Sequence, residues 1–142
     1  MTVQELCIIQ VHEFPKLEHL HCDEPLEENL TGSQYKCFKL ENFKINVANE
    51  KDSYILTKTG EIVKCLNIIN TSAYGIIIMG KIFNSVLPYF KKPANSAIFN
   101  IFLIKDMANT LNYWKLKDVK KKIMVILLSD ELIAMPLIHT EC

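Results

Sequence analysis

DSYILTKTGEIVKCLNII, residues 52–69, is the stretch on which the fold turns. Two short apolar runs flank Lys58-Thr59-Gly60, and neither follows the roughly 3.6-residue rhythm of an amphipathic helix. Read as alternating strands, Tyr54 and Leu56 share one face, and beyond the turn Ile62, Leu66 and Ile68 share one as well. Gly60 can supply the positive φ that a hairpin loop of this length wants. The stretch predicts a β-hairpin, with Lys58, Thr59 and Lys64 as ordinary solvent-side residues.

The sequence on either side continues in the same texture. Upstream, Tyr35–Leu40 and Phe43–Val47 alternate polar with apolar residues, the period-2 mark of half-buried strands. Val3–Val11 reads as a first strand, broken at Phe14-Pro15. Between them Lys16–Ser33 is acidic and punctuated by Pro25 and Gly32, which predicts a loop or linker. Downstream, Tyr74–Phe83 carries three consecutive isoleucines, which pack well on a pleated sheet. Gly75 and Gly80 inside that run predict bends or bulges. Val86–Ser96, with Pro88 and Pro93, reads as a loop, followed by the apolar run Ala97–Ile104 and a turn at Asn109–Asn112.

Lys120–Leu128 and Leu132–His139, joined by Ser129-Asp130-Glu131, predict a second hairpin, with Pro136 favouring an edge position. Leu116, Val119, Ile123 and Leu127 also fit one helical stripe, so residues 116–128 are open between strand and helix. About seven or eight short strands with frequent turns predict an all-β fold, a small barrel or sandwich with minor helix. Two parts are expected: an acidic segment of strand and loop or linker over residues 1–34, and the barrel domain over residues 35–142.

Composition bounds the function classes. The chain has 142 residues, 49% hydrophobic and 23% charged, a globular profile with one domain's worth of chain. No apolar run reaches the 18 or so residues of a membrane helix, and Met1–Glu5 lacks the start of a secretory signal. The five cysteines are scattered, with no pair at C-x-x-C spacing, as expected of reduced thiols. Nuclear or cytoplasmic residence is the expectation, so the acceptor patterns at Asn29-Leu-Thr31 and Asn70-Thr-Ser72 read as chance. Net charge is zero but unevenly spread. Residues 1–34 hold seven acids and one lysine, −6; residues 35–142 hold fifteen lysines and nine acids, +6. All sixteen basic residues are lysine, so the bidentate arginine forks that read guanine are missing.

Chemistry-bearing motifs are sparse. His12, His19, His21 and Cys22 form a His/Cys cluster, but the local run supplies at most three zinc ligands, and exposed histidines in an acidic loop explain it equally. No G-x-S-x-G, P-loop or H-E-x-x-H occurs, so no catalysis, metal or cofactor is expected. The basic residues say more. Lys115, Lys117, Lys120, Lys121 and Lys122 lie within eight residues beside Tyr113-Trp114, and Lys91-Lys92 follow Tyr89-Phe90. Such loops can stack bases while lysines track phosphates, or cage a methylated ammonium. Equally, Trp114 could be a core plug and the lysines a solvated strand end.

The hairpin 52–69, the Gly-containing strand ending Gly80-Lys-Ile-Phe83, the loop Tyr89-Phe90-Lys-Lys-Pro93 and the run Leu116–Val125 come in an order similar to that of a bromo-adjacent homology (BAH) domain. The likeness covers about residues 40–128. The chain also resembles trailing modules of proteins encoded by mobile elements. The BAH resemblance implies an SH3-like barrel that contacts protein or chromatin, without catalysis or cofactor, and in some members an aromatic cage. The partner it implies is a protein, a histone or other basic peptide among them. Phe83, Tyr89, Phe90, Lys91, Lys92, Tyr113, Trp114, Lys115 and Lys117 are then the candidate contact residues, on one surface made by residues 84–95 and 109–122. The alternatives are a single-stranded DNA or RNA binder of OB-like build and a structural subunit that oligomerises. No membrane role is expected.

Overall fold

Ten strands and three short 3-10 turns make up the computed structural model, which describes residues 16–22, 31–40 and 43–136. The opening hairpin is there. β4 (Tyr54–Thr57) and β5 (Ile62–Thr71) pair antiparallel, with Leu56 opposite Ile62 and Tyr54 opposite Lys64. Gly60 has φ 92°, its N–H donates to the Thr57 carbonyl at 3.0 Å, and the Thr57 N–H donates to the Glu61 carbonyl at 2.9 Å. Both faces of β4 are buried. Tyr54 and Leu56 pack with Ile62, Phe83, Ile104 and Ile123, whereas Ile55 packs with Val63, Cys65, Phe38 and Ile78. Burial on two sides is why the run Tyr54–Thr57 shows so little polar alternation.

β5 does not keep one face along its length. Its ladder with β6 (Gly75–Pro88) sets Cys65 opposite Gly80 but Asn67 opposite Met79, so Leu66 is an inserted residue. One extra residue reverses a period-2 pattern. Cys65 and Ile68 therefore join the same cluster, and Ile68 leaves the face of Ile62. The predicted common face for Ile62, Leu66 and Ile68 is thus corrected. Gly80 is the other half of the bulge: a Cβ there would lie 2.2 Å from the Lys64 carbonyl oxygen, so only glycine permits the approach.

From β5 the pairings lead around a circuit. β4 pairs with β9 (Val119–Leu128), β9 with β10 (Glu131–Pro136), β10 with β7 (Phe102–Met107), β7 with β6, and β6 with β5 again. β6 and β9 each turn a corner. Residues 75–82 of β6 pair with β5, and residues 83–88 pair with β7. Residues 119–122 of β9 pair with β4, and residues 123–128 pair with β10. Inside the circuit lie Tyr54, Leu56, Ile62, Phe83, Ile104, Ile123 and Ala134. The domain is all-β, as predicted.

Outside the circuit, β8 (Asn112–Lys115) pairs with the start of β6, and β2 (Gly32–Leu40) pairs with β5 through residues 32–35. β2 then joins β3 (Phe43–Asn46), and its Phe38, with Ile45 of β3, covers the face of Ile55, Val63 and Ile78. β1 (Lys16–His21) pairs along β2, with Leu17 opposite Phe38 and His21 opposite Gln34.

Several expectations change. Lys16–His21 is a strand rather than part of a linker, and the expected boundary between 34 and 35 falls inside β2. Among the described residues β1 pairs with β2 alone and is largely exposed, and its polar sequence carries little of the apolar signal of a strand. β6 continues through Val86–Pro88, where a loop was predicted. The run 97–104 is split by a 3-10 turn at Ser96–Phe99 and by Asn100 at φ 60°. Residues 119–128 are strand, preceded by a 3-10 turn at Leu116–Asp118. The second hairpin turns at Ser129 and Asp130, both at positive φ, the type I′ arrangement. β10 lies between β9 and β7 rather than at an edge. Pro136 is tolerated as its last residue, beyond the stretch Leu132–Ala134 that pairs with β7. The strand expected at Val3–Val11 and the chain around His139 lie outside the described residues.

Candidate partner-binding loop

Between Pro88, where β6 ends, and Phe102, where β7 begins, the chain makes a loop held from within by one serine. Ser96 is fully buried and uses all its polar groups. Its N–H donates to the Phe90 carbonyl at 2.7 Å, and its carbonyl accepts from the Ile101 N–H at 3.1 Å. Its Oγ accepts from the Phe90 N–H at 3.0 Å and donates to the Ile101 carbonyl at 2.9 Å. Asn95 caps the 3-10 turn, its side-chain oxygen accepting from the Ala97 N–H at 2.9 Å. Asn100 closes the turn in the left-handed region, which asparagine enters more readily than most residues.

This scaffold leaves large apolar side chains in solvent. Ile98 is 69% exposed and Phe99 51%, while Tyr89 and Phe90 stand exposed beside them in sequence. The Tyr89 and Phe90 rings meet edge to face, centroids 6.3 Å apart. Leu87, on the last turnout of β6, is half exposed, and Lys91 and Lys92 are exposed on the same loop. Ile98 and Phe99 were not among the predicted contact residues. The signal for them was the string Asn95-Ser96…Asn100, two capping residues bracketing an apolar pair.

The other predicted residues are placed elsewhere. Phe83 is buried inside the circuit, its ring 6.3 Å from that of Tyr54, so it is corrected from contact residue to core. Trp114, half-buried, packs against the cluster of Ile55 and Val63, and its Nε1–H donates to Glu61 Oε1 at 3.1 Å. Tyr113 is exposed on β8, Lys115 sits over the Tyr74 ring at 5.3 Å, and Lys117 is exposed in the following turn. β8 and the loop meet β6 at different places: Tyr113 stands opposite Met79 and Phe102 opposite Pro88. Those positions are nine residues apart, roughly 30 Å of extended strand, so the two aromatic groups do not form one cage.

The lysine run does not act as one track either. Lys122 pairs with Asp52 beside Ile55, and Lys121 stands opposite Leu56 on the other face. Across the hairpin, Lys64 pairs with Glu50 at 2.8 Å and lies over the Tyr54 ring at 4.7 Å. Hydrogen bonds from Lys64 and from the Tyr54 hydroxyl hold the Glu50 carboxyl below its ordinary range. Burial, and then Glu50, push the Tyr54 phenol up. Burial pushes the Cys65 thiol up to about 12. Such a thiol is an inert core group.

Of the His/Cys cluster, His21 Nε2 lies 2.9 Å from Asn67 Oδ1, Cys22 is an exposed free thiol, and His12 lies outside the described residues. Among the described residues, no three His, Cys, Asp or Glu side chains are grouped to hold a metal ion. Also among them, no helix is long and apolar enough to cross a membrane.

No curated protein and no solved structure matches the chain. One family model does, over residues 20–137, which takes in every described strand from β2 to β10 and the end of β1. The chain belongs to that family, described as a domain of unknown function, DUF8592.

Proposed function

We propose that the domain is a non-enzymatic protein-interaction module whose contact element is the 89–101 loop. One observation carries the reading: a loop ordered internally by Ser96 presents Tyr89, Phe90, Ile98 and Phe99 to solvent. Exposing large apolar side chains on an ordered scaffold costs solubility and gains nothing for folding, whereas it lowers the ordering cost of binding. Aromatic residues at the centre of a patch, with charge at its rim, are the usual composition of a binding hot spot. Lys91 and Lys92 supply the rim charge, so the partner is a protein segment with apolar residues and acidic neighbours. A basic peptide would meet those lysines with like charge.

The test is a peptide selection. A random peptide library is panned on the wild-type domain and counter-selected on a Tyr89→Ser/Phe90→Ser/Ile98→Ser variant whose melting temperature is confirmed unchanged. Acidic peptides with apolar anchors should emerge, and the variant should bind them at least tenfold more weakly. Peptides that bind the variant as well as the wild type, or no enrichment at all, would overturn the proposal.

A further inference from the structure

A second feature, well separated along β6 from the 89–101 loop, has no part in that reading. Beside the β5 bulge lies a cleft of about 280 Å³, lined by Leu66, Asn67, Met79, Lys81, Asn109 and Leu111. It is a direct product of the sequence. Leu66 is there because it is the inserted residue of the bulge, and the backbones can close behind it because position 80 is glycine. Asn109 and Leu111 come from the connection between β7 and β8.

Its polar side chains are Asn67, Asn109 and Lys81, with no carboxylate among them. Asn67, 1% exposed, is locked in place. Its Oδ1 accepts from the Ile68 N–H at 3.0 Å and lies 2.9 Å from His21 Nε2, and its Nδ2 donates to Gln34 Oε1 at 2.9 Å. An amide group has two donor hydrogens and two acceptor sites. Both acceptor sites are taken, which leaves one Nδ2 hydrogen to give. Lys81 stands directly opposite Lys64 on the β5–β6 ladder, an arrangement that repels. Glu50 answers the charge of Lys64, but among the described residues no carboxylate pairs with Lys81. The cleft therefore offers an Asn67 amide with one hydrogen left over and an ammonium that no described carboxylate answers. Leu66, Met79 and Leu111 make the rest of its wall apolar.

We propose that this cleft binds an apolar chain ending in a carboxylate. The carboxylate sits between Lys81 and the amides of Asn67 and Asn109, and the chain lies on Leu66, Met79 and Leu111. The volume holds about nine atoms of non-hydrogen size, taking roughly 30 Å³ for each water-sized unit. Binding relieves the Lys64–Lys81 repulsion, and the hydrogen bonds from Lys81 are charge-assisted, the stronger kind. Two sources share this chemistry: a free short-chain acid, and the C-terminus of a peptide with an apolar last residue.

The experiment is a titration of the wild-type domain followed by amide NMR, with four probes: hexanoate, hexanol, N-acetyl-Gly-Leu and its C-terminal amide. Hexanoate or the peptide acid should give saturable shifts at Lys81, Asn109 and Leu111 and in the Asn67 side-chain amide. Hexanol and the peptide amide should not. Lys81→Met, which keeps the aliphatic stem and leaves the buried network untouched, should weaken binding at least tenfold. Whichever acid binds more tightly identifies the source. The proposal fails if neither acid saturates at these residues, if hexanol binds as well as hexanoate, or if Lys81→Met binds like the wild type.

Discussion

Two aromatic groups sit at the two ends of β6, and they do opposite things. Near its start, Trp114 of β8 lies down on the cluster of Ile55 and Val63, and a little further on Phe83 is sealed inside the circuit. Past its end, Tyr89 and Phe90 are held out in solvent by a loop whose polar groups are satisfied internally. In sequence the two regions look alike: Tyr113-Trp114 precedes Lys115 and Lys117, as Tyr89-Phe90 precedes Lys91 and Lys92. What separates them is neighbourhood. β8 must cover part of an Ile-rich sheet, so its one large indole is used for packing. The 89–101 loop buries Ser96 instead, and so has its aromatics to spare.

That contrast is open to attack residue by residue. The largest effect is expected at Phe83→Ala, which should cost about 3–5 kcal/mol because it opens a cavity among Tyr54, Leu56 and Ile104; denaturant unfolding measures it. Ser96→Ala should cost about 1–3 kcal/mol, since it strands the Phe90 N–H and leaves the Ile101 carbonyl with only the 3.5 Å bond from the Tyr89 N–H. The same variant should make the loop amides exchange faster while those of β4 and β5 keep their protection. Trp114→Phe keeps most of the packing and loses the hydrogen bond to Glu61, for about 1 kcal/mol. Tyr89→Ser should change stability by no more than about 0.5 kcal/mol, as surface substitutions do. A cost at Tyr89 equal to that at Trp114 would erase the distinction between the two groups.

How much of this was written in the sequence depends on where the apolar signal lay. The 52–69 hairpin was legible because Gly60 and the residues around it combine a turn signal with strand runs on both sides. Gly80 announced a bulge, and one lies opposite it. What could not be read was the single inserted residue, Leu66, because a bulge leaves the composition of the strand unchanged and only reverses its faces. β1 was missed for the opposite reason: KLEHLH is a largely exposed strand with little apolar content to betray it. Tyr89, Phe90, Phe83 and Trp114 all read as candidate partner contacts, because nearness to lysines in sequence says nothing about which face a strand residue takes. Ser96, the residue that organises the loop, carries no motif at all. Its role comes from burial, which only the folded chain defines.

The central claim is that the 89–101 loop is ordered before any partner arrives. Native-state hydrogen exchange of the free domain tests it at three amides: Phe90, Ser96 and Ile101, whose hydrogens are held by Ser96 Oγ, the Phe90 carbonyl and the Ser96 carbonyl. The account predicts that all three exchange at least about tenfold more slowly than in an unstructured chain, while the exposed amides of Lys91 and Lys92 do not. Exchange of all three at the unstructured rate would contradict it.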